Sequence, residues 1–423
     1  MPDGQLSRRI GIVATRLSGT DGVSLEMRKW AEVLQGLGHR CFYLTGESDR
    51  AGGDARRVPE MHFHHPEVQA VYEVAFRERS RPPEITRQIH QLAARLKSEL
   101  HAFVKQFEVQ LLLIENAVTI PLNLPLGIAL TEFIAETGMP AIAHHHDFFW
   151  ERKRFLVNCV WDYLNMAFPP HLPTIRHVVI NSSASNQLSL RTGISGMIIP
   201  NVMDFERPAA LPDGYTASLR QDLGLSDGEH FLLQPTRVVQ RKGIEHAIEL
   251  IERLDLPARL IVSHASGDEG HEYELRVRHF ADLLDVRVNF VSEIIREQRG
   301  ETADGRRVYA LSDVYRHADL VTYPSTIEGF GNAFLEAIYY RRPILVNNYS
   351  IFAIDIKPKG FRVIEFDGYI SEATVRRVRD VLLRPEAAEE MTAHNYELGK
   401  RHYSYAMLER RLQTLLMECF GEA

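Results

Sequence analysis

Two rhythms of apolar residues alternate along the chain. Short uninterrupted runs, such as IGIVA at 10–14 and LLLI at 111–114, have the length and composition of strands buried on both faces. Between such runs, apolar positions return every three or four residues. Val23, Met27, Trp30, Ala31, Leu34 and Leu37 share one face of a helix that Gly38 closes. A strand at 41–44 follows, which makes a βαβ unit. A helix over 83–107 and strands at 111–114, 141–143, 178–180 and 197–199 continue the alternation, so a first doubly wound α/β domain spans 1–203.

The segment 204–227 is richer in Pro, Gly and Asp and reads as a connection. A strand at 231–234, a helix over 243–254 and strands at 260–263, 288–291, 320–323 and 344–347 then repeat the pattern. This predicts a second domain over 204–395. Residues 396–423 close the chain, with an amphipathic helix over 403–420. The stretch 296–307, REQRGETADGRR, lacks apolar periodicity and reads as a surface loop. Two doubly wound domains facing each other across a cleft would hold a ligand at the carboxyl ends of their strands.

Composition narrows the function classes. The chain has 423 residues, which suits two ordinary cores. Its net charge of −7 argues against a general nucleic-acid binder, which needs clustered Lys and Arg. Cys41, Cys159 and Cys419 form neither a disulfide framework nor a zinc spacing, so a reducing, cytoplasmic setting is the natural expectation. The opening MPDGQLSRRI has no apolar core of a signal peptide. The uncharged stretch 116–131 contains Pro121 and Pro125 and is shorter than the roughly 20 residues a membrane-spanning helix needs.

Candidate chemistry concentrates at strand ends. In YPSTIEGFGNAFLEA, from Tyr323, a strand runs into a glycine-bearing loop and then into a helix. Gly329 and Gly331 let backbone N–H groups approach a ligand, and a helix N-terminus favours electron-rich oxygens. Glu328 and Glu336 offer carboxylates to sugar hydroxyls. A second segment, QPTRVVQRKG at 234–243, also joins a strand to a helix, and it supplies Arg237 and Lys242 as diphosphate partners. A third, AIAHHHDFFW at 141–150, ends a strand in His144, His145, His146 and Asp147, with Arg152 beyond. His144 and His146 share a strand face, so with Asp147 they form a rival metal-binding reading. The plain alternative for His144 and His145 is burial. Gly22 ends the first βα turn, SGTDG at 18–22, where backbone can approach a phosphate.

Glu328 and Glu336 with seven residues between them resemble the E-x7-E motif of family-four retaining glycosyltransferases, which have the GT-B fold. The Gly loop, His146-Asp147, the PNVMD junction at 200–204, and Arg237 with Lys242-Gly243 follow the family's order. Thr236 and Val202 stand where the family usually has Gly. The resemblance implies transfer of a hexose from a UDP- or GDP-linked donor to a hydroxyl of a small or carbohydrate acceptor. It implies that Glu336 binds the donor ribose and that Glu328 and His146 contact the donor sugar. The backbone of Phe330, Gly331 and Asn332 would lie close by, and Arg237 and Lys242 would neutralise the leaving diphosphate. It also implies no metal and no other cofactor, and a final helix crossing back to the first domain. Gly22 would lie in the loop that faces the diphosphate and the acceptor. By their charge, Asp147 and Arg152 are candidate acceptor contacts, with a solvated face the plain alternative for Arg152. A nucleotide-sugar epimerase, a phosphorylase and a catalytically silent nucleotide-sugar binder are the rivals. The first two need a base set or a Schiff-base lysine with no evident sequence context. The third predicts loss of charged residues that are all present.

Overall fold

The computed structural model describes residues 7–19, 22–49, 52–266 and 270–421. Its contacts divide the chain into two compact units, Met1–Asn201 with Tyr405–Ala423, and Val202–Ser404.

The first unit begins with β1 (Arg9–Ala14), α1 (Gly22–Gly36), β2 (Arg40–Thr45) and β3 (Ala55–Arg57). There follow α2 (Pro66–Ala75), α3 (Pro83–Phe107), β4 (Leu111–Glu115), α4 (Leu124–Thr137) and β5 (Ala141–His145). Then come α5 (Trp161–Ala167), β6 (Ile175–Val179), α6 (Ser182–Thr192) and β7 (Gly196–Ile198). All seven strands are parallel, in the order β3-β2-β1-β4-β5-β6-β7. The order reverses between β1 and β4, the place where a doubly wound sheet opens a ligand crevice. Helix α3 packs so closely on β1 that a Cβ on Gly11 would stand 2.7 Å from the Phe103 ring. The uncharged stretch supplies most of α4, whose residues 124 to 131 are all buried, packed against α3 and α5. Among the described residues no helix is long and apolar enough to cross a membrane.

The second unit contains α7 (Leu219–Asp222), β8 (His230–Gln234), α8 (Ile244–Leu254), β9 (Ala258–Val262), α9 (Glu272–Leu283) and β10 (Val288–Phe290). A small sheet of β11 (Ile295–Arg296), β12 (Gly300–Glu301) and β13 (Arg307–Ala310) leads to α10 (Leu311–His317) and β14 (Leu320–Tyr323). The unit ends with α11 (Asn332–Tyr339), β15 (Ile344–Asn347), β16 (Ile364–Phe366), α12 (Glu372–Leu383) and α13 (Pro385–Tyr403). Its main sheet is also parallel, in the order β10-β9-β8-β14-β15-β16. Helix α8 buries Ile244, Ala247, Ile248, Ile251 and Leu254, a single apolar stripe on the sheet.

Two details differ from the sequence reading. The stretch 296–307 is not a bare loop: β12 pairs with β13, and Arg299 is clamped by Asp213 at 2.6 Å and Asp313 at 2.7 Å. Ion pairs hold this excursion, so apolar periodicity could not reveal it. At the end of the chain, α13 stops at Tyr403, and Met203 N donates to the Tyr403 carbonyl at 2.9 Å. A separate helix, α14 (Tyr405–Phe420), belongs to the first unit and packs on α1 and β6 through its Leu408, Leu412, Leu415 and Leu416 face.

Candidate active site

In the second unit, two strand-to-helix connections lie side by side because β8 and β14 are neighbours. The turn after β8 is stitched to the loop after β14 by the Thr326 N–H, which donates to the Arg241 carbonyl at 2.9 Å. Gly243 is required here. Its φ is +57°, and a Cβ on it would lie 2.7 Å from the Pro324 carbonyl oxygen. Gly331 has φ +124°, and a Cβ there would lie 2.5 Å from the Tyr349 hydroxyl, which itself donates to the Phe330 carbonyl at 2.8 Å. The backbone at the start of α11 is therefore held open from one side by glycine and fixed from the other by Tyr349. Phe330 is buried against Tyr403, so only its backbone is available to a ligand, while Gly329 is exposed and Asn332 half-buried.

This packing brings Glu328 onto the basic turn. Its carboxylate takes Lys242 Nζ on one oxygen and Arg241 Nη1, at 3.3 Å, on the other. Lys242 is 8% exposed. Burial lowers its pKa, as do Arg241 and Arg237, while Glu328 pulls it back up. Arg237 is exposed, yet close enough to act on both Lys242 and His264. His264 follows β9 and is held neutral, at about 4, first by burial and then by Lys242 and Arg237; its Nδ1 lies 2.8 Å from Ser263 Oγ. Glu336 has a different partner: the buried Tyr315 hydroxyl donates to it at 2.7 Å. The two motif glutamates are thus separately anchored, one to cations and one to a phenol.

In the first unit, β4 and β5 are paired with Glu115 opposite His144. The Glu115 carboxylate is 2% exposed and bridges two imidazoles, accepting from His144 Nδ1 at 3.0 Å and from His146 Nε2 at 2.5 Å. Burial pushes the Glu115 carboxyl up, but the two imidazoles pull it down further, to about 2. The His146 pKa is raised: burial opposes its charge, and Glu115, Glu26 and Asp147 more than compensate. Trp30 stacks on His144 at 4.3 Å. The Asn116 side chain accepts from the His146 backbone N–H at 3.3 Å. His145 is core: it is fully buried, kept neutral by burial first, and bonded to Thr119 at 2.6 Å and His177 at 2.9 Å.

The rival metal reading changes shape here. Asp147 does not join the histidines, because Arg152 Nε binds its carboxylate. The group whose ligand atoms lie within 4.8 Å of one another is Glu115, His144 and His146. In it, one oxygen of the carboxylate lies 3.0 Å from His144 Nδ1 and the other 2.5 Å from His146 Nε2. Gly22 is exposed at the start of α1, and Thr20 and Asp21 of its turn lie outside the described residues.

Sequence reasoning passed over Glu115, Arg241, His264, Tyr315 and Tyr349. A charge closing the apolar run LLLIE was the available signal for Glu115. Tyr315 and Tyr349 had none, since their roles arise from packing between distant segments.

Residues 216–398 match the family described as Glycosyl transferases group 1. The chain is 30% identical to the mannosylglucosylglycerate synthase of Thermotoga maritima, over 95% of this chain and 98% of that protein. It is 28% identical to the mannosylglucosylglycerate synthase of Petrotoga mobilis, over 84% of this chain and 86% of the relative. Among solved structures, a glycosyltransferase from Rickettsia africae superposes with TM-score 0.70 at 13% identity, covering 99% of this chain and 100% of that one. Anabaena HepE in complex with UDP-glucose superposes with TM-score 0.65 at 14% identity, covering 96% of this chain and 99% of its own. The two parallel sheets, the connections at their carboxyl ends and the near full-length relatives agree: this chain belongs to the group 1, family-four type of glycosyltransferases and has the GT-B fold.

Proposed function

We propose that this enzyme transfers a hexose, with retention of anomeric configuration, from a nucleoside-diphosphate sugar to a hydroxyl of a glycosylated glycerate. The observation that carries the acceptor is the near end-to-end similarity to two proteins named for a product built from mannose, glucose and glycerate. Mannose is accordingly the first sugar to test, on UDP or GDP.

The residues suit this chemistry. As the sugar leaves, negative charge builds on the diphosphate, and Arg237 and Lys242 supply positive charge beside the helix-end amides of 330–332. Lys242 is held by Glu328 beforehand, so the ammonium is oriented before the donor arrives. Glu336 accepts from ribose hydroxyls while Tyr315 fixes its second oxygen. His146, kept as a donor by Glu115, hydrogen-bonds the sugar. Retention without an enzyme carboxylate as nucleophile leaves a same-face route. In it the acceptor O–H proton passes to the departing phosphate oxygen as the new C–O bond forms and the old one breaks. No step in this scheme calls for a metal.

Incubation with UDP- or GDP-mannose and glucosylglycerate, with and without EDTA, tests the reading. A new glycoside whose anomeric coupling matches the donor's configuration supports it. Inversion refutes the mechanism, and absence of transfer from any common nucleotide-sugar refutes the function.

A further inference from the structure

A second group of charges gathers at the carboxyl ends of β1, β2 and β3, away from the Glu115 bridge. Arg16 lies two residues past β1, and its guanidinium sits over the Phe63 ring at 5.4 Å. Phe63 stacks on His62 at 4.5 Å. Arg57 is the last residue of β3; its Nε donates to the Gly46 carbonyl at 3.3 Å, and it has no carboxylate partner among the described residues. Strand alternation explains its direction, since the preceding Arg56 is spent on Glu99 of α3. Gly46 and His62 are pressed together, and a Cβ on Gly46 would fall 2.2 Å from the His62 backbone nitrogen.

His62 itself is a poised donor. Its Nδ1 accepts from the His64 N–H at 3.1 Å, which puts the ring proton on Nε2. That Nε2 is buried and makes no hydrogen bond; the Glu47 carboxylate, 3.3 Å away, is too poorly aligned. Burial lowers the His62 pKa, with His64, Arg16 and Arg57 adding to it and Glu47 opposing, so the ring is neutral near pH 7. Two acids nearby have partners of their own: Glu47 accepts from Ser18 Oγ at 2.6 Å, and Asp49 from Gly19 N at 2.8 Å and Arg28 at 3.2 Å.

Two guanidiniums and one orphaned N–H thus surround a spot at the ligand-binding edge of the sheet. Neighbouring strands are about 4.8 Å apart, so along this edge β1 stands roughly 10 Å and β3 roughly 19 Å from β5, where His146 lies. A sugar ring carrying a three-carbon acid covers the nearer span, and the Arg57 side chain, which reaches back to the Gly46 carbonyl beyond β2, shortens the farther one. The geometry points to Arg16, Arg57 and His62 as the subsite for the carboxylate of the acceptor. The arrangement is monoanion-sized: an Arg fork takes both oxygens, and the neutral imidazole donates a further bond. This inference rests on the acceptor reading above.

Paired acceptors test it: glucosylglycerate, and glucosylglycerol, in which an uncharged hydroxymethyl group stands in place of the carboxylate. The wild-type enzyme should prefer the acid. Arg57→Gln and Arg16→Gln should each raise the KM for the acid about tenfold or more, while the KM for the donor stays within about twofold. Arg57→Lys should restore part of the loss, which a purely structural defect would not allow. If the wild-type enzyme prefers the acid and both Gln variants keep that preference, the subsite is wrong and the acceptor reading stands. If the wild-type enzyme uses both acceptors equally, the carboxylate is not recognised and the subsite falls. If it glycosylates neither while binding the donor, the acceptor reading falls and takes the subsite with it.

Discussion

Replacing Glu115 by Gln isolates one charge while keeping the shape of the side chain. In the native unit the carboxylate is buried and accepts from both His144 and His146. Its pKa falls from 4.5 to about 2, and the difference is on the order of 3 kcal/mol of folding stability. The sign follows from a depressed acid: this stability is complete above pH 4.5 and is lost as the pH falls toward 2. The raised pKa of His146 reports the same interaction from the other side, so it is counted once. That contribution is present below the ordinary imidazole value and is lost as the pH rises through the raised one. In Glu115→Gln the amide can accept from one imidazole only, and its NH2 faces the other. We expect a loss of about 2–3 kcal/mol at pH 7 in urea unfolding, within the range for breaking a buried charge pair whose partner can discharge. The second readout is functional. If His146 donates to the sugar as an imidazolium, donor kcat/KM falls on an alkaline limb set by its raised pKa. In the variant that limb moves to lower pH. Glu26, His144, Lys29 and Asp147 also face this cluster, so the pH shift is read against Glu26→Gln as a control. An unchanged limb together with unchanged stability would refute the bridge as a working element.

Other outcomes follow from the same geometry. Arg237→Ala should lower turnover about 10²-fold or more while donor affinity, measured calorimetrically, weakens far less; equal turnover would remove Arg237 from the chemistry. Gly243→Ala forces a Cβ to within 2.7 Å of the Pro324 carbonyl at φ +57° and should cost about 1–3 kcal/mol, seen as a fall in Tm; an unchanged Tm would mean the two connections are not tightly joined. Activity should survive exhaustive chelation, and activity that disappears with EDTA and returns with a divalent cation would make Glu115, His144 and His146 a metal site rather than a hydrogen-bonded cluster.

Much of the architecture was legible because buried parallel strands are short apolar runs and their crossover helices are amphipathic. Helix α3 at 83–107 and β14 at 320–323 fall where periodicity puts them. What periodicity could not carry are elements stabilised by charge or by edges: β3 is three residues with no buried side chain, and the β11–β13 sheet depends on Arg299. Site residues divide in the same way. Glu328, Lys242 and His146 sit in local motifs at strand ends and could be named from the chain. Glu115 and Tyr315 matter through partners 31 and 21 residues away, so only the fold assigns them. The pairing of Asp147 with Arg152 went unnoticed because each was read as an acceptor contact rather than as the other's counter-ion.

A chain of net charge −7 is at first sight a poor host for an anionic donor and the acidic acceptor proposed above. The objection fails on distance. At physiological ionic strength a charge is screened over about 8 Å, so a ligand at a strand end feels its immediate neighbours and not the total. At those ends the acids are already engaged, Glu328 by Lys242 and Arg241, Glu115 by two imidazoles, Glu47 by Ser18. Arg237 in the second unit and Arg57 in the first remain exposed beside them. The surplus negative charge is spread over the rest of the surface, whereas the carboxyl edges of both sheets carry the arginines and lysine named above. Local arrangement, rather than overall charge, therefore decides whether a small anion is held at these strand ends.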